Sequence, residues 1–217
     1  MTRLHLQLAL DLGTLDQSLQ LVQVAIPYVD SIEIGTPLLI REGIAAVKAI
    51  RPYVEGTQVA LFADSKISDE GVAIARLCFE AGADTISVVD GASTNTLRAV
   101  RSVADELGKQ VWVDLMYHSN PILRARTLAP YADGFVVHRP PTGFPPLLVE
   151  GLRIVDRPIR IAGGITLDIA RREIATRLAT SLTPNAGIVV GRAITQAEDI
   201  EAALQAFAHL CRGDEAI

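Results

Sequence analysis

The strongest constraint on this chain is a recurrence. Eight short apolar runs, at residues 6–11, 31–35, 59–64, 85–89, 110–115, 134–138, 159–162 and 187–190, alternate with stretches of helical periodicity. The spacing of roughly 20–30 residues is the size of one strand-plus-helix unit. Strand–helix alternation implies a parallel sheet, and eight units imply closure into a (β/α)8 TIM barrel rather than an open doubly wound sheet. No linker interrupts the pattern, so residues 1–217 read as one catalytic barrel domain. Hydrophobic residues make up 49% of the chain, as expected where strands are covered on both faces.

The intervening helices read over 16–24, 42–50, 69–81, 93–107 and 199–210, with Asp69 as an acidic N-cap and Gly82 and Gly108 as C-caps. The stretch 180–187 is less regular, because it contains Pro184 and Asn185. Residues 139–146, Arg-Pro-Pro-Thr-Gly-Phe-Pro-Pro, cannot form a regular helix and read as the loop after strand six. In a barrel such loops line the active-site face.

Several function classes are disfavoured. The net charge is −5 with no basic run, which argues against nucleic acid as a partner. No apolar run approaches the roughly 18 residues that span a bilayer, so no membrane partner is expected. The N-terminus runs straight into a strand pattern without a signal peptide. Cys78 and Cys211 are far apart and outside any CxxC pair. They read as buried thiols in a reducing cytoplasm.

Buried strands have little reason to end in charge, yet here polar residues recur at strand ends: Asp11, Glu33, Asp64, Lys66, Asp114 and His138. Together they predict one polar mouth at the C-terminal end of the barrel. On an extended strand Asp64 and Lys66 share a side, and Asp69 follows three positions later. An acid–base–acid array keeps a lysine protonated, ready to stabilise an anionic intermediate or move a proton. By spacing alone it reads equally as an ion-pair cluster. Glu33 and Asp64, on neighbouring strands, repel unless a cation or proton joins them, and oxygen ligation suits Mg²⁺; pairing of Glu33 with Lys66 is the plainer alternative. Glycine turns after strands seven and eight, Ala162-Gly163-Gly164-Ile165 and Val190-Gly191-Arg192-Ala193, fit a phosphate site with Arg192 as a forked donor.

Asp64-x-Lys66-x-x-Asp69, Gly163-Gly164 and Gly191-Arg192 resemble the orotidine 5′-monophosphate decarboxylase suprafamily, along nearly the whole chain. Leu6-Gln7-Leu8-Ala9-Leu10-Asp11, Glu33-Ile34-Gly35-Thr36-Pro37 and Val113-Asp114 are similar to 3-hexulose-6-phosphate synthases. Ala63-Asp64-Ser65-Lys66-Ile67-Ser68-Asp69 and Gly191-Arg192-Ala193-Ile194 look more like 3-keto-L-gulonate-6-phosphate decarboxylases. Glu33 stands where orotidylate decarboxylases carry a lysine, which implies the Mg²⁺-dependent sugar-phosphate branch.

The resemblance implies Mg²⁺ held by Glu33 and Asp64, and Lys66 stabilising a 1,2-enediolate. It implies a homodimer in which Asp69 reaches the partner's site, substrate hydroxyls bound by Asp11, and phosphate held by Gly164, Gly191 and Arg192. Asp114 and Glu33 are read as further substrate contacts. His138 is the candidate acid or base, since imidazole titrates near neutrality.

The favoured reaction is formaldehyde addition to ribulose 5-phosphate, hexulose-6-phosphate synthesis. The alternative is decarboxylation of 3-keto-L-gulonate 6-phosphate. Orotidylate decarboxylation and a non-catalytic sugar-phosphate-binding barrel rank below. Two loops depart from both relatives. Pro141 stands where the gulonate decarboxylases carry an arginine, while Arg139 is adjacent to His138. After strand five, Met116-Tyr117-His118-Ser119 follows neither pattern, and His118 reads as a surface residue or a new substrate contact.

Overall fold

The computed structural model describes residues 3–11, 13–116, 118–140, 142–143, 155–175 and 186–214. Eight strands are described: β1 His5–Leu10, β2 Ser31–Ile34, β3 Ala60–Ile67, β4 Thr85–Val89, β5 Gln110–Asp114, β6 Gly134–His138, β7 Ile159–Ala162 and β8 Gly187–Val190. Each pairs in parallel with its sequence neighbours, and β8 pairs with β1 to close the barrel. This is the expected (β/α)8 barrel.

Alternate strand residues build two cores. Leu6, Leu8, Leu10, Ile32 and Ile34 belong to the large apolar layer shared with the helices. Ala9, Phe62, Trp112, Val136, Ala162 and Val189 form a separate small cluster, the apolar filling of the lumen. Phe62 and Trp112 meet edge to face, with centroids 6.3 Å apart. Gly134 on β6 makes room for this pair, because a Cβ there would stand 2.5 Å from the Trp112 ring.

The helices follow local signals. Thr14 and Gln17 form a capping box at the start of α1, Leu15–Ala25. A helix that was not expected, α2 Thr36–Glu42, ends at Gly43 (φ 62°), and the helix expected over 42–50 is α3, Ala45–Val54. Pro37 lies in the first turn of α2, where its missing N–H costs nothing. Asp69 is not the N-cap of α4, Gly71–Glu80: Glu70 holds that position with φ 50° and no side-chain cap bond. The Asp69 carboxylate instead accepts from the Glu70 N–H at 2.8 Å.

Ser93 caps α5, Thr94–Leu107, and Gly108 closes it in the left-handed region. The remaining helices are α6 Pro121–Leu128, α7 Leu167–Ile169, α8 Arg192–Thr195 and α9 Ile200–Arg212, the last capped by Asp199. A π-helical turn, Ala170–Ala175, continues α7. The irregular segment at 180–185, and most of the 141–146 loop, lie outside the described residues. Among the described residues no helix is long and apolar enough to cross a membrane.

Candidate active site

The site begins with an irregularity in β3. Its pairing with β4 shifts between Ala63 and Ile67, and Lys66 sits at φ 42°, a left-handed conformation that is uncommon for a side-chain-bearing residue. Asp64 and Lys66 therefore do not share a face by simple alternation, as the sequence spacing implied. The bulge brings them together: the Lys66 ammonium lies 3.0 Å from Asp64 Oδ1 and 2.9 Å from Oδ2.

Ser87 on β4 anchors the bulge. Its hydroxyl accepts from the Lys66 backbone N–H at 2.8 Å and donates to Asp64 Oδ1 at 2.7 Å. Its carbonyl accepts from the Ser65 hydroxyl at 3.0 Å. Thr36, at the start of α2, donates to Asp64 Oδ2 at 2.8 Å. Sequence reasoning missed both residues. The signal was available for Ser87, since Thr85 and Ser87 are polar at alternating positions of an otherwise apolar strand.

Asp114, at the end of β5, is 1% exposed. It pairs with Lys66, takes the Met116 N–H at 2.8 Å, and lies 3.1 Å from His138 Nε2. Burial opposes its charge, yet His138 and Lys66 outweigh that and hold its pKa at about 2. Burial likewise opposes the Lys66 charge, and Asp64 and Asp114 override it, so the lysine pKa rises above its ordinary value. Lys66 and His138 thus share one buried carboxylate, a rigid mount for two groups that face the same opening.

That opening is a cavity of about 860 Å³. Asp11, Glu33, Asp64, Lys66 and His138 line it together with Gly163, Gly164, Gly191 and Arg192. Eight of the ten candidate residues (Asp11, Glu33, Asp64, Lys66, His138, Gly164, Gly191, Arg192) line this one space. Asp114 stands behind Lys66 and His138 rather than in the wall. Asp69 is exposed and outside its own cavity. His118 is also outside; its Nδ1 accepts from the Asn120 N–H at 3.0 Å near the start of α6, which favours the surface reading. Arg139 is likewise absent from the lining, and its N–H donates to the Ala162 carbonyl at 2.7 Å.

Gly163 (φ 98°) and Gly164 (φ 62°) hold conformations that side-chain-bearing residues avoid. Arg192 opens α8 directly after Gly191. Two glycine turns and a cation therefore line the same cavity, the makings of a phosphate site. Asp11, Glu33 and Asp64 bring carboxylates to the same cavity, with Asp11 Oδ2 close to Gly191. Burial and then Asp64 raise the pKa of both Asp11 and Glu33, a mark of negative charge without enough compensation. Among the described residues no three His, Cys, Asp or Glu side chains are already grouped to hold a metal.

Comparison with known proteins gives the family. The pattern of the orotidine 5′-phosphate decarboxylase / HUMPS family matches residues 4–207. The chain belongs to this family. A 3-hexulose-6-phosphate synthase of Bacillus subtilis (strain 168) is 33% identical over 208 residues, 90% of this chain and 93% of that enzyme. The 3-keto-L-gulonate-6-phosphate decarboxylase UlaD of Escherichia coli O139:H28 is 38% identical over 113 residues, 51% of this chain and 50% of that enzyme. The crystal structure of 3-hexulose-6-phosphate synthase from Salmonella typhimurium superposes with a TM-score of 0.84 at 32% identity, covering 99% of this chain and 100% of that one.

Proposed function

We propose that this family member is a carbon–carbon lyase acting on a phosphorylated ketose through a 1,2-enediolate, and that its reaction is formaldehyde addition to ribulose 5-phosphate. The observation that carries the reading is the shared mount: Lys66 and His138 are both held on buried Asp114 and line one cavity with two phosphate-type glycine turns. The near-full-length likeness to a hexulose-phosphate synthase supports the choice of reaction.

With the phosphate held by the Gly163–Gly164 and Gly191–Arg192 turns, His138 removes a proton from C1 of the ketose, leaving the enediolate. The Lys66 ammonium faces the negative oxygen that forms, in a buried setting where such charge pairing is strong. C1 then attacks the formaldehyde carbon as the C2 carbonyl re-forms, and the new alkoxide takes the proton that His138 removed. Decarboxylation of 3-keto-L-gulonate 6-phosphate is the second reading, favoured by the half-length match to UlaD. There, loss of carbon dioxide leaves a 1,2-enediolate of the same type on a different pentulose phosphate, and His138 gives a proton to C1.

The donor set fits Mg²⁺. Glu33 and Asp64 offer oxygen ligands, and the raised pKa of Glu33, from burial and then from Asp64, reflects a place where a cation relieves repulsion. When bound, Mg²⁺ supplies positive charge to ketose oxygens. Asp69 lies outside its own cavity, in keeping with service to a partner's site in a homodimer. Exposed apolar side chains on α2 and α4, Ile40 at 80%, Leu77 at 56% and Val72 at 48%, offer surface for that contact.

Incubating the protein with Mg²⁺, ribulose 5-phosphate and formaldehyde should consume both substrates in a 1:1 ratio to a hexulose 6-phosphate. Carbon dioxide release from keto-gulonate phosphate, without formaldehyde consumption, would favour the second reading instead.

A further inference from the structure

The mechanism leaves one buried cation unused. Arg160 on β7 is 7% exposed, inside the lumen and outside the cavity wall. Its guanidinium carbon lies 4.1 Å from the Trp112 ring centroid and 5.8 Å from that of Phe62. Among the described residues no carboxylate comes within ion-pair range of it, and its Nε has no hydrogen-bond partner. Among the described residues its guanidinium has one hydrogen bond, from Nη1 to the Gln7 side-chain oxygen.

The polarity of the neighbouring bonds follows from this contact. A guanidinium donates only, so the Gln7 oxygen must face it. The Ser31 hydroxyl donates to the same oxygen at 3.1 Å. That uses the only Ser31 proton, so His5 Nε2 must be the donor in its 2.9 Å contact with Ser31. The Gln7 amide nitrogen is left with one direction, towards Glu33 Oε2, to which it donates. Every proton along His5–Ser31–Gln7 therefore points towards Glu33.

We propose that Arg160 is a positioning residue: it locks the Gln7 amide so that Gln7 always offers a donor to Glu33 and fixes that carboxylate at the cavity wall. Burial lowers the Arg160 pKa to about 9, while Glu33 and Asp30 oppose the fall, so the group stays charged near neutral pH. Without a donor-only neighbour the amide can turn over, and its oxygen would then meet the Glu33 oxygen. The amide geometry stands independently of the reaction. Its effect on turnover rests on the ketose-phosphate reading.

The test compares Arg160→Lys, which remains donor-only, with Arg160→Gln, which can donate or accept. In nitrogen-15 NMR spectra the Gln7 side-chain NH₂ pair is assigned by its loss in Gln7→Leu. Its deuterium exchange should be slow in the wild type and in Arg160→Lys, and at least about tenfold faster in Arg160→Gln. With ribulose 5-phosphate and formaldehyde, kcat should fall about tenfold in Arg160→Gln, the scale of one hydrogen bond to a charged group, with KM changed less than about twofold.

Arg160→Lys should restore most of that loss, and Arg160→Gln should add nothing in a Gln7→Leu background. Equal exchange in the Lys and Gln variants, or effects that multiply with Gln7→Leu, would overturn the proposal and leave Arg160 a packing residue. If Arg160→Gln fails to fold, Arg160→Met makes the same comparison. A wild type that turns over no ketose phosphate contradicts the reaction, while the exchange measurement still decides the role of Arg160.

Discussion

At the mouth of the lumen Lys66 has two carboxylates within hydrogen-bonding reach, whereas deeper inside Arg160 has none among the described residues and rests on Trp112 and an amide. Both are cations on barrel strands. The first is compensated on two sides by Asp64 and Asp114, yet keeps an open face to the cavity. The second is sealed off and acts only through its neighbours. Burying a charge is costly unless it is paired or hydrogen-bonded. The mouth meets that cost with opposite charge, whose removal should show in both chemistry and stability. The deeper site meets it with a ring face and one directional bond, whose removal should show mainly in geometry.

Breaking the mouth should have the largest effect. Lys66→Ala should lower kcat by about 10³-fold or more, the scale for losing a preorganised charge at a developing oxyanion. It should also lower the melting temperature, because Asp64 and Asp114 lose their cation; activity assays and thermal unfolding by circular dichroism check the two parts. Ser87→Ala should come next, at about tenfold in kcat, since one hydroxyl holds both the Lys66 backbone and Asp64. An unchanged kcat there would mean that the bulge holds itself.

Acid sharpens the contrast further. Asp114 is held at about 2 against an ordinary 3.8, so its stabilising share is fully present above the unfolded value and is lost as the pH falls from about 4 to about 2. The loss should be about 2 kcal/mol, at about 1.4 kcal/mol per pKa unit. Urea unfolding at pH 6 and at pH 2.5 measures it, and Asp114→Asn should flatten that dependence. The smallest effect concerns the helix layer. Burial raises the thiols of Cys78 and Cys211 to about 11 and 12, so a thiol reagent at pH 7.5 should modify neither until the protein unfolds.

The barrel was legible because each strand is an apolar run bounded by helix, and periodicity reports that directly. The polar mouth was legible for a related reason: charge at the end of a buried strand stands out. Other features were hidden by the assumptions that made these visible. The run of strand two is bounded at residue 35 and the next helix reads from residue 42, so α2, which Pro37 opens in its first turn, went unseen. The Asp64–Lys66 pair was expected from an extended strand, but contact arises through a bulge and a left-handed lysine, which depend on the Ser87 hydroxyl one strand away. Asp69 resembles a cap by residue type, yet Glu70 occupies that position. Arg160 sat within a run judged by its apolar neighbours. Only the closed barrel shows that it points at Gln7 and Trp112, whose positions lie far from it in the chain.

The account turns on a shared enediolate, and proton exchange at C1 of ribulose 5-phosphate in D₂O tests that step without choosing an electrophile. With Mg²⁺ present and formaldehyde absent, the wild-type protein should replace one C1 proton by deuterium, seen as loss of one C1 proton signal by NMR, and Lys66→Ala should abolish the exchange. No exchange by the folded wild-type protein, or equal exchange by both proteins, would contradict the account.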